Sequence, residues 1–317
     1  MPALIVTFDT NLYRRLSPDD FAALAASERR LSIRPLASYY VATEFLAHLA
    51  DREDPSFGPS FASLRRLWEH TRTYDGSAYV MNLLEPAGHQ VAYVLFPEFR
   101  GQIPHSESLG GFIGRVVHTA PGELSRFFQD ELTAFRDFVS KTEQSFLDSL
   151  FDRIVRTLSP TARSWQDVTA ETPLRDQLLK AIASGQGRLH SAEGFVRRIV
   201  EDFNFQCSEE LIAERIDAMQ RIFPLPLYVV DGLVTSIIER GLDMTKKDRA
   251  NSLWDIHISF SIGTDASFEG APLWLVTDDG AIVNASKAAA TLGVKHLDEY
   301  CAILKSDWCG FRSLIAP

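Results

Sequence analysis

Leu4-Ile5-Val6-Thr7-Phe8-Asp9-Thr10-Asn11 is the stretch on which the reading of this chain turns. Leu4 to Phe8 is a short, β-rich run that is almost wholly apolar, the pattern of a strand buried on both faces of a parallel sheet. Asp9 arrives where that strand should end, with Thr10 and Asn11 behind it. In open α/β sheets, ligands bind just beyond the carboxyl ends of the strands. A carboxylate there, followed by a hydroxyl and an amide, suits a hard cation or a phosphate. The plainer reading makes Asp9 the cap of the next helix, because Asp-Thr-Asn is also good turn chemistry. Carboxylates at other strand ends would decide between the two.

Outward from this run, Ser17-Pro18-Asp19-Asp20 supplies a helix cap, a proline for the first turn and early acids. Leu31 to Leu36 is a second strand candidate. Residues from Ser38 to Leu49 read as an amphipathic helix in which Glu44 sits among apolar neighbours. Asp51 to Pro59 reads as loop and Phe61 to Thr71 as helix. Ala78 to Leu84 and Val91 to Phe96 are expected as β-runs joined through Glu85-Pro86-Ala87-Gly88-His89, with Phe112 to Val117 as a third run. From about Pro121 the character turns helical. Glu123 to Leu158 carries apolar residues at helical spacing, and helices are expected at Leu174 to Ser184, Ser191 to Phe203, Ser208 to Phe223 and Leu227 to Glu239.

Near the other end, Lys247 to Ile262 reads as one helix with Asp248, Asn251 and Asp255 on one face. Pro272 to Val276 is a buried-type strand ending in Thr277-Asp278-Asp279-Gly280. A helix from Ala281 to Leu292, a strand from Val294 to Leu297 and a last helix from Asp298 to Leu304 close the pattern. The expected fold class is α/β: a three-layer α/β/α sandwich with a mainly parallel central sheet, plus a mostly helical insertion. Residues 1–100 are expected to form the first part of the core, 101–225 the insertion and 226–317 the second part.

The chain has 317 residues, enough for one large domain or two small ones. Its formal net charge of -10 argues against broad, nonspecific nucleic-acid binding, though a local basic groove fits within an acidic protein. No apolar run approaches the roughly 20 residues that span a bilayer, and no secretory signal is visible. Cys207, Cys301 and Cys309 are odd in number and lack metal-ligand spacing, which predicts free thiols in a reducing compartment. A cytoplasmic location without a membrane partner is the expectation.

Two strands thus end in acids, at Asp9 and at Asp278/Asp279, and two helices offer buried-looking acids, Glu44 and Asp255. Carboxylates crowded together repel and raise each other's pKa. A divalent ion with oxygen ligands, Mg²⁺ or Mn²⁺, removes that penalty. Such a cation would orient a scissile phosphate and activate water.

In these residues the chain resembles the PIN-domain nucleases. The matches are Phe8-Asp9-Thr10-Asn11 for the opening strand and its Asp, and Thr43-Glu44-Phe45-Leu46 for a helical Glu. Asn251-Ser252-Leu253-Trp254-Asp255-Ile256 matches a helix with an Asp, Val276-Thr277-Asp278-Asp279 a strand ending in Thr-x-Asp, and Val294 to Tyr300 the closing strand and helix. They cover about residues 1–70 and 240–305. The departure is size: Glu44 and Asp255 stand 211 positions apart, so the chain is similar to larger PIN-like proteins with insertions.

The resemblance implies that Asp9, Glu44, Asp255 and Asp279 are catalytic and ligate Mg²⁺ or Mn²⁺, with Asp278 the alternative to Asp279. It implies that Asn11, Asn251 and Thr277 orient those ligands. It also implies metal-dependent hydrolysis of phosphodiester bonds, with RNA favoured as the nucleic-acid substrate. Lys246, Lys247, Arg249, Arg14 and Arg15 are candidates to meet the phosphate backbone, although paired arginines are common on solvated helices. The large helical block is expected to make a homodimer or hold an inhibitory protein partner.

Plainer readings stand beside these. Glu44 reads equally as a helix-surface acid, Asp255 as a partly exposed one, Asp278/Asp279 as a cap, and His257 as a packed histidine. Three rival functions compete: a noncatalytic PIN-like module binding nucleic acid or protein, a nuclease of DNA flaps or single strands, and a Mg²⁺-dependent phosphatase. The phosphatase needs a second Asp two residues after the first, where this chain has Asn11.

Overall fold

The computed structural model describes residues 4–74, 79–103, 108–156, 162–240, 251–264, 267–268 and 270–305. The opening run is a strand, β1 (Leu4–Phe8), buried at all five residues. Asp9 ends it and caps α1 (Thr10–Arg15). Ser17 caps α2 (Pro18–Arg30) by accepting from the Asp20 N–H, with Pro18 in the first turn. β2 (Ile33–Ser38), α3 (Tyr39–Ala47) and α4 (Phe57–Thr71) follow. The last of these begins inside the stretch expected as loop.

The run expected from Ala78 to Leu84 is extended in most of its described part, and those expected from Val91 to Phe96 and from Phe112 to Val117 are not strands. Among the described residues there, only a small hairpin of β3 (Arg72–Tyr74) with β4 (Tyr79–Met81), and the two-residue β5 (Leu83–Leu84), are extended. Val91–Leu95 belongs to α5 (Ala87–Leu95), and Phe112 to Val117 to α6 (Ser108–His118). Ala87, Val91, Ala92 and Leu95 are buried at helical spacing, as are Leu109, Phe112, Ile113 and Val116. That periodicity outweighs the β preference of the Val and Phe residues. Gly114 is a packing residue, since a Cβ there would lie 2.8 Å from Trp68 Cη2.

The helical stretch runs through α7 (Leu124–Leu150), which bends at Phe128 and passes into a π-helical turn at Phe151–Arg156. It continues with α8 (Trp165–Ala170), α9 (Thr172–Ala183), α10 (Gln186–Asp202), α11 (Glu209–Ile222) and α12 (Pro224–Arg240). α13 (Asn251–Ser259) is the described part of the helix expected from Lys247; residues 241–250 lie outside the described residues. β6 (Ser267–Phe268), β7 (Ala271–Thr277), α14 (Gly280–Ala288), β8 (Val294–His296) and α15 (Leu297–Lys305) complete the chain.

The sheet runs β5-β2-β1-β7, and β6 and β8 both pair with β7. All of its pairings are parallel except β6 with β7. The fold is an α/β sandwich with an added helical region. From β1 the chain builds outward through β2 and β5, then crosses to the other side with β7 and β8. The strand order therefore reverses between β1 and β7, where open α/β sheets form their ligand crevice. The register from Ile5 opposite Leu273 to Phe8 opposite Val276 brings the two strand ends level. Asp9 and Thr277-Asp278 consequently emerge side by side.

Behind this crevice, a buried polar network ties four helices together. Tyr300 donates to Glu28 at 2.6 Å, the Glu28 carboxylate meets His70 Nε2 at 2.5 Å, and His70 Nδ1 meets the Tyr13 hydroxyl at 2.9 Å. These groups come from α15, α2, α4 and α1, and they hold one end of the sandwich in register. Among the described residues, no single helix is long and apolar enough to cross a membrane.

Candidate metal centre

Asp9 is both a cap and a cleft residue. Its Oδ1 accepts from the Leu12 N–H at 3.0 Å, and its Oδ2 accepts from the Thr277 hydroxyl. The same Thr277 oxygen accepts from the Asp279 N–H at 2.9 Å. Thr277, fully buried, thus stitches the end of β1 to the turn after β7. Asp279 caps α14, accepting from the Ala281 N–H at 2.6 Å and the Ile282 N–H at 3.2 Å. The capping reading therefore holds for both residues, and it accounts for only some of their lone pairs.

Burial pushes the Asp9 carboxyl up to about 6. The Thr277 hydroxyl and the Leu12 N–H pull it down, and the charges of Asp278 and Asp279 push it up again. Asp255 is pushed well above the ordinary carboxylate range, first by burial and then by the charges of Asp279, Asp9 and Glu44. Four carboxylates from β1, α3, α13 and the β7–α14 turn therefore press on one another. Asp9, Glu44 and Asp255 line a cleft of about 20 Å³, together with Thr10, Asn11, Arg14 and Tyr40. That is room for one water or one small ion.

The four acids are not equivalent. Glu44, buried on α3, accepts from the Thr10 hydroxyl at 2.7 Å and pairs with Arg14 at 2.9 Å. Arg15 pairs with Asp278. Among the described residues, none donates a hydrogen bond to the Asp255 carboxylate, and no cation pairs with it. Nor do any three Asp, Glu, His or Cys side chains there stand ready to share one ion. Mg²⁺ is commonly held by one or two carboxylates plus waters, so the all-oxygen donor set of Asp255 and Asp9, in a cleft of this size, fits such an ion.

Of the other candidates, Asn11 lines the cleft. Asn251 opens α13 one turn before Asp255, and its side chain lies outside the described residues, as do Lys246, Lys247 and Arg249. Arg14 and Arg15, expected at a phosphate backbone, are turned onto acids. His257 is a packed histidine stacked on Tyr40, with ring centroids 4.7 Å apart, and burial holds it down at about 4.

Sequence reasoning missed the partnership of Thr10 and Arg14 with Glu44. Their i, i+4 spacing on α1 was the available signal, because it places both on one face. Compared with protein-family models, with curated proteins and with solved structures, the chain matches none of them.

Proposed function

We propose that this chain is a divalent-metal-dependent nuclease of the PIN-like kind, hydrolysing phosphodiester bonds at the cleft between β1 and α13, with RNA the favoured substrate. One observation carries the reading: Asp255 holds a carboxylate in a narrow cleft, against three other acids, with no donor from the described residues. A buried charge left so costs stability unless a cation or a proton joins it. Asp255 and Asp9 would hold Mg²⁺ or Mn²⁺, with Asp279 and Glu44 beside them. The bound ion would supply Lewis-acid stabilisation of a phosphoryl oxygen and lower the pKa of water.

The chain's own groups would do the rest. Thr277 fixes the rotamer of Asp9 by its hydrogen bond and holds the Asp279 backbone in place. Thr10 and Arg14 hold Glu44 at the cleft wall. Arg14 in the cleft wall and Arg15 on Asp278 would lower the local negative potential that an incoming phosphate meets. The test is cleavage of labelled single-stranded RNA, with single-stranded DNA alongside, in Mn²⁺. Asp9→Asn and Asp255→Asn are each expected to abolish cleavage; if both variants cut like the parent, the mechanism is wrong.

The arginine pairs favour a second reading, a PIN-like module that binds without cutting. Arg14 on Glu44 and Arg15 on Asp278 neutralise two of the acids in the absence of metal. Titration calorimetry with Mn²⁺ separates the readings: the nuclease binds the ion and loses it in Asp255→Asn, and the noncatalytic module binds none.

A further inference from the structure

A large cavity lies on the other side of Tyr40 from the acidic cleft. It encloses about 840 Å³ between α5, α7, α10 and α13, within the range of small-molecule sites. Aromatic side chains, Tyr40, Phe146, Phe195 and Phe203 among them, stand in its walls. Three polar atoms buried in these walls have no hydrogen-bond partner among the described residues: Ser191 Oγ on α10, His89 Nδ1 on α5 and His257 Nε2 on α13. Ser191 is 6% exposed. The closest carboxylate to His89 Nδ1, that of Glu85, is 3.6 Å away, beyond hydrogen-bond reach. Of the nine buried side-chain atoms without a partner among the described residues, three converge on this one cavity from three helices, where buried polar groups are ordinarily satisfied. They mark where a ligand's polar edge belongs.

The rim carries cations. Lys141 on α7 is exposed at the cavity and has no ion-pair partner among the described residues. Arg198, also at the cavity, pairs with Asp202 on its own helix at 2.8 Å. The requirements add up to one chemistry: a flat ring system to lie among aromatic side chains, an uncharged donor–acceptor edge for Ser191 and the two imidazoles, and an anion for Lys141. An aliphatic acid would leave the interior polar atoms unanswered.

We propose that this cavity binds a nucleotide, with its base among the aromatic residues and its phosphate at Lys141. Tyr40 lines both the cavity and the acidic cleft, and α13 presents Asp255 to the cleft and His257, two residues on, to the cavity. A base in the cavity is therefore one aromatic layer from the acids. That the nucleotide belongs to a substrate strand rests on the nuclease reading; that the cavity takes a nucleotide does not.

The test uses the full chain carrying Asp255→Asn, in chelator, with binding read by calorimetry for the four ribonucleoside monophosphates and by anisotropy for a labelled single-stranded RNA. At least one monophosphate is expected to bind, and Ser191→Ala to weaken it about tenfold, the effect of roughly 1.4 kcal/mol. Lys141→Ala should weaken the monophosphate and leave the matching nucleoside unchanged. The monophosphate should also displace the RNA. Absence of binding by every nucleotide, binding of decanoate in their place, or indifference to both Ser191→Ala and Lys141→Ala overturns the proposal.

A monophosphate that binds without displacing the RNA makes the cavity an effector site and removes the nucleotide from the strand. Cleavage in the otherwise unmodified chain that survives Ser191→Ala and Lys141→Ala at full rate and affinity overturns the cavity's place on the substrate strand and leaves the nuclease standing. Nucleotide binding by a chain that never cleaves does the reverse.

Discussion

Replacing Asp9 by asparagine should make the protein more stable at neutral pH while removing the proposed Mn²⁺ binding. The Asp9 carboxyl titrates at about 6 against an ordinary 3.8 because it is buried near other acids. For an acid with a raised folded-state pKa, the associated stability is complete below the unfolded value and is lost as pH rises through the folded one. Across this window the ionised side chain costs on the order of 3 kcal/mol, at about 1.4 kcal/mol per pH unit. Asparagine carries no charge to desolvate. It does lose one hydrogen bond, because its single carbonyl oxygen serves either the Leu12 N–H or the Thr277 hydroxyl, at a cost of about 1 kcal/mol.

The net effect at pH 7.5 is a gain of about 2 kcal/mol, or a Tm higher by roughly 4 °C for a chain of this size. The gain should shrink as pH falls and be gone near pH 4, where the parent carboxyl is already protonated. The assay is thermal unfolding of parent and variant between pH 4 and pH 8 in chelator, repeated with Mn²⁺. An ion at a hundredfold excess over its Kd should raise the parent by about 2.7 kcal/mol and leave the variant unmoved. A variant that melts lower than the parent at pH 7.5, or a difference that does not vary with pH, would refute the claim that buried charge governs Asp9.

Three further outcomes follow from the same contacts. Thr277→Val removes the hydroxyl shared by Asp9 and the Asp279 N–H; it should cost about 1–3 kcal/mol in denaturant unfolding and move the Asp9 titration, followed by carboxyl NMR, further up. Glu28→Ala leaves His70 and Tyr300 without their shared buried acceptor and should lower stability by about 3–5 kcal/mol; a loss below about 1 kcal/mol would show that the network is not holding the helices. Gly114→Ala drives a methyl group to 2.8 Å from Trp68 and should cost about 1–3 kcal/mol in the same measurement, without altering Mn²⁺ binding.

How much of this was legible in the sequence varies with how local the signal was. β1 and β7 were legible because each is a buried apolar run ending in a polar turn. The helices from α9 to α12 were legible from spacing alone. The extended run from Ala78 to Leu84 was legible, but Val91 to Phe96 and Phe112 to Val117 were misread because valine and phenylalanine suggested strands, although Leu109, Phe112, Ile113 and Val116 already carried the helical period. Glycines at 110, 111 and 114 strengthened the error, since glycine is unfavourable in an exposed helix. Gly114 instead packs closely against Trp68, a residue 46 positions away, and no local pattern announces such a contact.

The acids were found from their places at strand ends and on apolar helix faces, but their differing states depend on their partners. Arg14 and Arg15 are adjacent in sequence, so on a helix they project about 100° apart, and each reaches a different acid: Glu44 from α3 and Asp278 from the turn after β7. Thr10, four residues before Arg14, adds its hydroxyl to the Glu44 side. Asp9 is drawn to Thr277 by the parallel pairing of β1 with β7. What is left after these pairings is Asp255, on a helix 211 positions beyond Glu44, with no described donor. Charge pairing in the sandwich thus singles out one carboxylate by exhausting the partners of the others, and the selection exists only once α1, α3, α13 and the two strand ends have come together.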